Sequence, residues 1–119
     1  MAAPEAKTFE SPDEVRKFQA NGRVELVNLG SGPVGRGTFE PGWKWSECVK
    51  PIAGTDSCQV EHFGYAISGR MKVQFDDGTS AEIGPGDFAH LQPGHDAWIV
   101  GDDTCVFLDF MGAPNYAKK

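Results

Sequence analysis

Cys58 and His62 stand four residues apart in a run that alternates like a β-strand, and His95 lies in the turn-rich segment Pro93-Gly94-His95-Asp96-Ala97-Trp98. A thiolate and two imidazoles that converge form a metal-donor set with an open fourth position. Strand residues alternate in direction, so Cys58, Val60, His62, Gly64 and Ala66 form one row, and Gln59, Glu61, Phe63, Tyr65 and Ile67 form the other. The first row combines two donors with small neighbours, which suits a pocket. The spacing permits chelation without requiring it, because a packed thiol and a hydrogen-bonded buried imidazole produce the same pattern. Asp96 could orient the His95 ring, although Gly-His-Asp is also an ordinary polar turn. The remaining pocket candidates are Trp43, Trp45, His90 and Trp98. Trp43 and Trp45 share a strand face, but such aromatic pairs are more often core or interface than ligand platform. The phase of Tyr65 turns it away from the donor row. Cys105, inside Cys105-Val106-Phe107-Leu108, reads as a packing residue.

The elements that must position these residues are short strands. With 15 Gly and 8 Pro distributed among apolar runs, 119 residues suit one all-β domain with many turns. Strands are predicted at 23–29, 34–39, 43–49, 58–67, 71–75, 79–83, 88–91, 97–100 and 105–110, with one longer loop at 50–57. Ahead of them, Ser11-Pro12-Asp13-Glu14 reads as a helix start that Gly22 ends, presenting Val15 and Phe18. The organisation is therefore a lead and short helix over 1–22 and a single barrel domain over 23–119.

The hairpin at 71–83 can be registered from burial alone. A two-residue Asp77-Gly78 loop would mix core and solvent residues on each face. A three-residue loop with Gly78 left-handed pairs Met71 with Ile83, Lys72 with Glu82 and Val73 with Ala81, giving one apolar and one charged face. Gly84-Pro85-Gly86-Asp87 then fits a type II turn. The apolar outer row of Phe63, Tyr65 and Ile67 needs a cover, either the N-terminal segment or a second subunit, and a homodimer is expected.

A net charge of −6 argues against a nucleic-acid partner. No apolar run approaches the length of a membrane span, and the first thirty residues lack the apolar core of a signal peptide. Three cysteines without a secretion signal fit free thiols in a reducing, cytoplasmic setting.

From about Val34 to Phe110 the chain resembles the cupin superfamily. The GYAISGRM run at 64–71 is similar to the end of the first cupin motif, and counting back from Gly69 places His62 at the family's Glu position, Cys58 at its second His and Asp56 at its first. Gly84-Pro85-Gly86-Asp87 followed by Gln92-Pro93-Gly94 resembles the second motif, whose metal His would fall at Ala97, two residues beyond His95. The whole stretch from Trp43-Lys44-Trp45-Ser46 through Pro93–Trp98 also resembles a subgroup of small bacterial cupins that carry a Cys-x-x-x-His-x-Gly-Tyr signature, here Cys58 to Tyr65.

This resemblance implies a cupin-type β-barrel (a double-stranded β-helix, or jelly roll) with the one short N-terminal helix. The substitutions and the shift read either as loss of metal or as a rearranged site in which Cys58, His62 and His95 replace the family's usual three-His, one-Glu set. The thiolate favours zinc, whereas the family's ordinary set suits iron or manganese. The expected function is binding of a divalent metal and a small polar organic ligand in the barrel. The alternatives are a metal-dependent oxygenase, isomerase or lyase, and a metal-free sensing barrel.

Overall fold

A computed structural model describes residues 4–118. Nine strands form two antiparallel sheets: β1 (Glu14–Lys17), β2 (Gly22–Leu29), β3 (Gly32–Phe39), β4 (His62–Ser68), β5 (Met71–Phe75), β6 (Ser80–Ile83), β7 (Phe88–Leu91), β8 (His95–Ile99) and β9 (Cys105–Asp109). The larger sheet has the order β1-β2-β3-β9-β4-β7 and the smaller one β6-β5-β8. Their facing rows make the core. Alternate residues of β8 and β9 are buried, as are Met71 and Val73 of β5, which is the period of a strand with one wet face.

The β5–β6 hairpin has the register expected from burial: Met71 pairs with Ile83, Lys72 with Glu82 and Val73 with Ala81. Gly78 sits at φ +90°, a conformation that costs glycine little because it has no Cβ. The following turn is closed by the Asp87 N–H donating to the Gly84 carbonyl at 3.0 Å, with Gly86 at φ +89°.

Two expectations about elements are corrected. The N-terminal helix does not form; residues 14–17 are instead a strand paired with β2. An isolated helix of that length is marginal in water, whereas the extended form satisfies the free edge of β2 and seats Phe18 in the core, stacked on Phe39 at 5.5 Å. The second correction concerns 43–49, where a strand was expected. Two short helices stand here, α1 (Trp45–Cys48) and α2 (Lys50–Ala53). Asp96 captures the Ser46 N–H at 3.1 Å, Pro51 lies in the first turn of α2, and Gly54 ends that helix in the left-handed conformation at φ +77°.

The N-terminal segment lies against β2 and β3, with Glu5 accepting from the Gly30 N–H at 2.6 Å and Arg36 over the Phe9 ring. It does not cover the outer row of β4, where Phe63 and Ile67 are exposed.

Candidate metal centre

The predicted strand from Cys58 is interrupted. Regular pairing begins at His62, and Cys58 makes an isolated bridge with His95, its N–H donating to the His95 carbonyl at 2.7 Å. The segment from Cys58 to His62 thus crosses from the β8 side of the barrel to β4. Ser57 anchors the crossing by donating to Asp76 at 2.9 Å.

Cys58, His62 and His95 are all buried, and one donor atom from each lies within 4.8 Å of the others. His95 is therefore a full member of the cluster, brought in by its pairing with Cys58. The Cys58 Sγ to His62 Nε2 distance is 3.6 Å. Two ligands of one tetrahedral zinc, at ordinary Zn–S and Zn–N lengths, stand about 3.5 Å apart. Both rings also have their other nitrogen occupied. His62 Nδ1 is 2.6 Å from Asp109 Oδ2, and His95 Nδ1 donates to the Gln92 carbonyl at 2.8 Å. Each arrangement leaves Nε2 for a metal, which is how metal-binding histidines are ordinarily held. The residues present fit the ion.

The electrostatics form a chain of alternating sign. Burial raises the Cys58 thiol, but hydrogen bonds and positive charge from His62 and His95 outweigh it and bring the pKa down to about 6. Burial pushes the His62 pKa down, yet hydrogen bonds and charge from Asp109 and Cys58 carry it up to about 9. Desolvation opposes ionisation of Asp109 as well. His62 and the N–H groups of Gly112 and Met111 nevertheless hold it below its ordinary value.

Asp109 and Tyr116 are the functional residues that sequence reasoning missed. The signal for Asp109 was present, since it continues the inward row Cys105, Phe107, Asp109, and a carboxylate on a buried row needs a partner. Tyr116 had no comparable signal. It reaches the site on a C-terminal strap that includes a 3₁₀ turn at Ala113–Asn115. There its ring meets His62 edge-on at 5.1 Å, and burial raises its pKa well above the ordinary range. Arg16 of β1 fastens the strap by donating to the carbonyls of Ala113 at 2.8 Å and Tyr116 at 2.9 Å. Gly112 allows the close approach, because a Cβ there would stand 2.7 Å from His62 Nδ1 and 2.6 Å from the Glu61 carbonyl.

The other candidates divide. Trp43 and Trp45 are buried and line an interior cavity of about 40 Å³ that His62, His95, Asp109 and Tyr116 also border. His90 does not face it. That ring lies outside on β7, exposed, 2.6 Å from Glu61, because the alternation of β7 turns Leu91 inward. Trp98 is also displaced, on the outer row of β8 with Lys44 over its ring at 5.5 Å. Asp96 serves the Ser46 and Ala97 N–H groups rather than a histidine ring. Asp56 is exposed, and Ala97 lines the cavity. Two positions at which a typical cupin carries histidine therefore contribute no donor here. On its far side the cluster borders a wider cleft of about 470 Å³, with Cys58, Trp45 and Tyr116 in its wall.

No protein-family profile and no curated protein matches the sequence. Solved structures do match in shape. A cupin-like protein from Thermotoga maritima aligns with 78% of this chain and 69% of its own at a TM-score of 0.53 and 18% identity. Oxalate decarboxylase from Lactobacillus farciminis aligns at a TM-score of 0.59 and 16% identity over 92% of this chain, which spans 33% of that enzyme. Oxalate decarboxylase from Bacillus subtilis, a protein with Mn(II) centres, aligns at 0.50 and 20% identity over 85% of this chain and 27% of its own. The chain has the cupin fold, an all-β jelly roll. Within it, Cys58, His62 and His95 form a buried cluster whose donor atoms could hold a metal ion.

Proposed function

We propose that this protein binds a divalent metal through Cys58, His62 and His95 and takes a small organic ligand into the barrel beside it. The observation that carries this reading is the convergence of three buried donor atoms within 4.8 Å. A thiolate with two imidazoles favours zinc over iron or manganese. A bound metal would supply an electrophile that polarises a ligand oxygen. The protein's own part is to fix the His62 ring through Asp109, the His95 ring through Gln92, and to limit water with Tyr116. The three free cysteines suit a reducing compartment, in keeping with a cytoplasmic location. Among the described residues no helix is long and apolar enough to cross a membrane.

Metal analysis of freshly purified protein beside His62→Ala tests the site. The expected result is one metal per chain in the wild type, zinc by identity, and a large loss in the variant. Undiminished metal in the variant would refute the site. Substrate screening under air and without oxygen then separates an oxygenase, isomerase or lyase from a sensor, which binds saturably and forms no product.

A second reading is favoured by the order Cys58, His62, Asp109, with separations of 3.6 and 2.6 Å. Without metal these are a thiolate, an imidazolium and an orienting carboxylate, the arrangement of an activated cysteine nucleophile. Fast alkylation of Cys58 in metal-free protein, lost in His62→Ala and blocked by zinc, would support it. Slow alkylation equal in both proteins would remove it.

A further inference from the structure

The interior cavity has a chemistry that the donor cluster does not explain. Its polar wall is gathered around His62, where His95, Asp109 and Tyr116 meet, whereas Phe39, Met71, Ile83, Leu91, Ala97 and Phe107 make an apolar wall around the remaining space. Trp43 also lines this space and is 2% exposed. Among the described residues, its Nε1–H is the buried side-chain donor without an acceptor. Buried indole N–H groups ordinarily have one, because a desolvated donor left unpaired costs stability. Among the described residues no Lys or Arg belongs to the cavity wall, so none of them offsets the desolvation of an anionic group away from the histidines.

The size limits the occupant further. A volume of about 40 Å³ is more than one water needs and confines the occupant to a small molecule. We propose that the cavity selects a small, uncharged, oxygen-bearing molecule of the size of a three-carbon ketone, with its apolar body against Met71, Ile83 and Leu91 and its oxygen accepting from Trp43 Nε1. Trp43 is then the residue that sets specificity, and its end of the cavity offers a carboxylate no charge partner. The inference rests on the reading that the barrel interior is a ligand site, and it replaces the polar ligand expected from the sequence with an apolar-bodied one.

The test uses the full chain labelled with ¹⁵N, freed of metal by a chelator and titrated separately with acetone and with oxalate. The signal observed is the Trp43 indole N–H, assigned as the resonance absent from Trp43→Phe. Acetone is expected to move it saturably while the Trp98 indole stays in place, and oxalate is expected to leave it unmoved. In Trp43→Phe the acetone affinity should fall by about fivefold, the worth of one neutral hydrogen bond, with zinc stoichiometry unchanged. An unmoved Trp43 signal in acetone, an equal response to oxalate, or full acetone affinity in the variant overturns the proposal.

If Trp43→Phe does not fold, the indole is assigned by sequential NMR. Ala97→Val, which intrudes on the cavity, must then abolish the acetone response, and a response that survives it counts against the proposal. Zinc stoichiometry is read independently. An acetone response in a protein that takes up no zinc removes the metal reading and keeps this one, and zinc uptake without an acetone response does the reverse.

Discussion

Asp109 holds one edge of His62 at 2.6 Å while two backbone N–H groups, from Met111 and Gly112, hold its other oxygen. The carboxylate therefore fixes the ring rather than merely neutralising it. Asp109→Asn keeps the volume and weakens that grip, so zinc affinity is expected to fall 10- to 100-fold with the fold retained, as measured by competition with a chromophoric chelator. Unchanged affinity would mean that the cluster holds His62 without it. Cys105 offers a separate test, away from the donors. Burial raises its pKa to about 11 from 9.0. A raised acid binds its proton more tightly in the folded state, so this contribution to stability is complete below pH 9 and is lost as pH rises from 9 to 11. Denaturant titrations should show wild type losing stability across that window faster than Cys105→Val. Parallel curves for the two proteins would contradict the assignment.

At the scale of elements, the site depends on the contact between β1 and the C-terminal strap. Among the described residues, Arg16 is the side chain of β1 that bonds the strap's carbonyls, at 2.8 and 2.9 Å. Arg16→Ala is expected to let Tyr116 leave more often and to increase the rate of Cys58 labelling by a disulfide reagent at least about tenfold, given ~1.5–3 kcal/mol per hydrogen bond to a charged group. A fall in Tm of several degrees should accompany it. A labelling rate that does not change would show that the strap does not control access.

Elements closed by local rules were readable in the sequence. The β5–β6 register followed from requiring one apolar face, and the turns at Gly78 and Gly86 followed from left-handed glycine. The segment 11–22 misled because a good cap at Ser11 is a local signal, whereas the free edge of β2 that recruits Glu14–Lys17 is not visible in those residues. The site divides in the same way. Cys58 and His62 were near in sequence and could be paired by spacing, although the crossing between sheets replaced the continuous strand. His95 enters through a bridge across 37 positions (95 − 58), and no local pattern encodes that. His90 and Trp98 were placed by residue type alone, and the phases of β7 and β8 turn both outward.

For the molecule as a whole, the outer face of β4 and β7 remains the expected self-association surface. Phe63, Phe88 and Phe110 are exposed there, with Phe63 6.4 Å from Phe88 and 6.3 Å from Phe110 between ring centres. Light scattering should give a dimer mass for wild type and a monomer mass for Phe88→Lys, which introduces charge at the most exposed of the three. A wild-type monomer at micromolar concentration would refute the dimer.

The position of β9 has a consequence for the order in which the protein becomes itself. It lies between β3 and β4 in the larger sheet, although it is the last strand in the chain. During synthesis from the N-terminus, both neighbours emerge well before the strand that joins them. Cys58, His62 and His95 have likewise all been made while Asp109, Gly112 and Tyr116 are still to come. A nascent chain can thus meet a metal ion with its donors present and its enclosure unbuilt, and residues 109–116 would then turn an open chelate into a buried one.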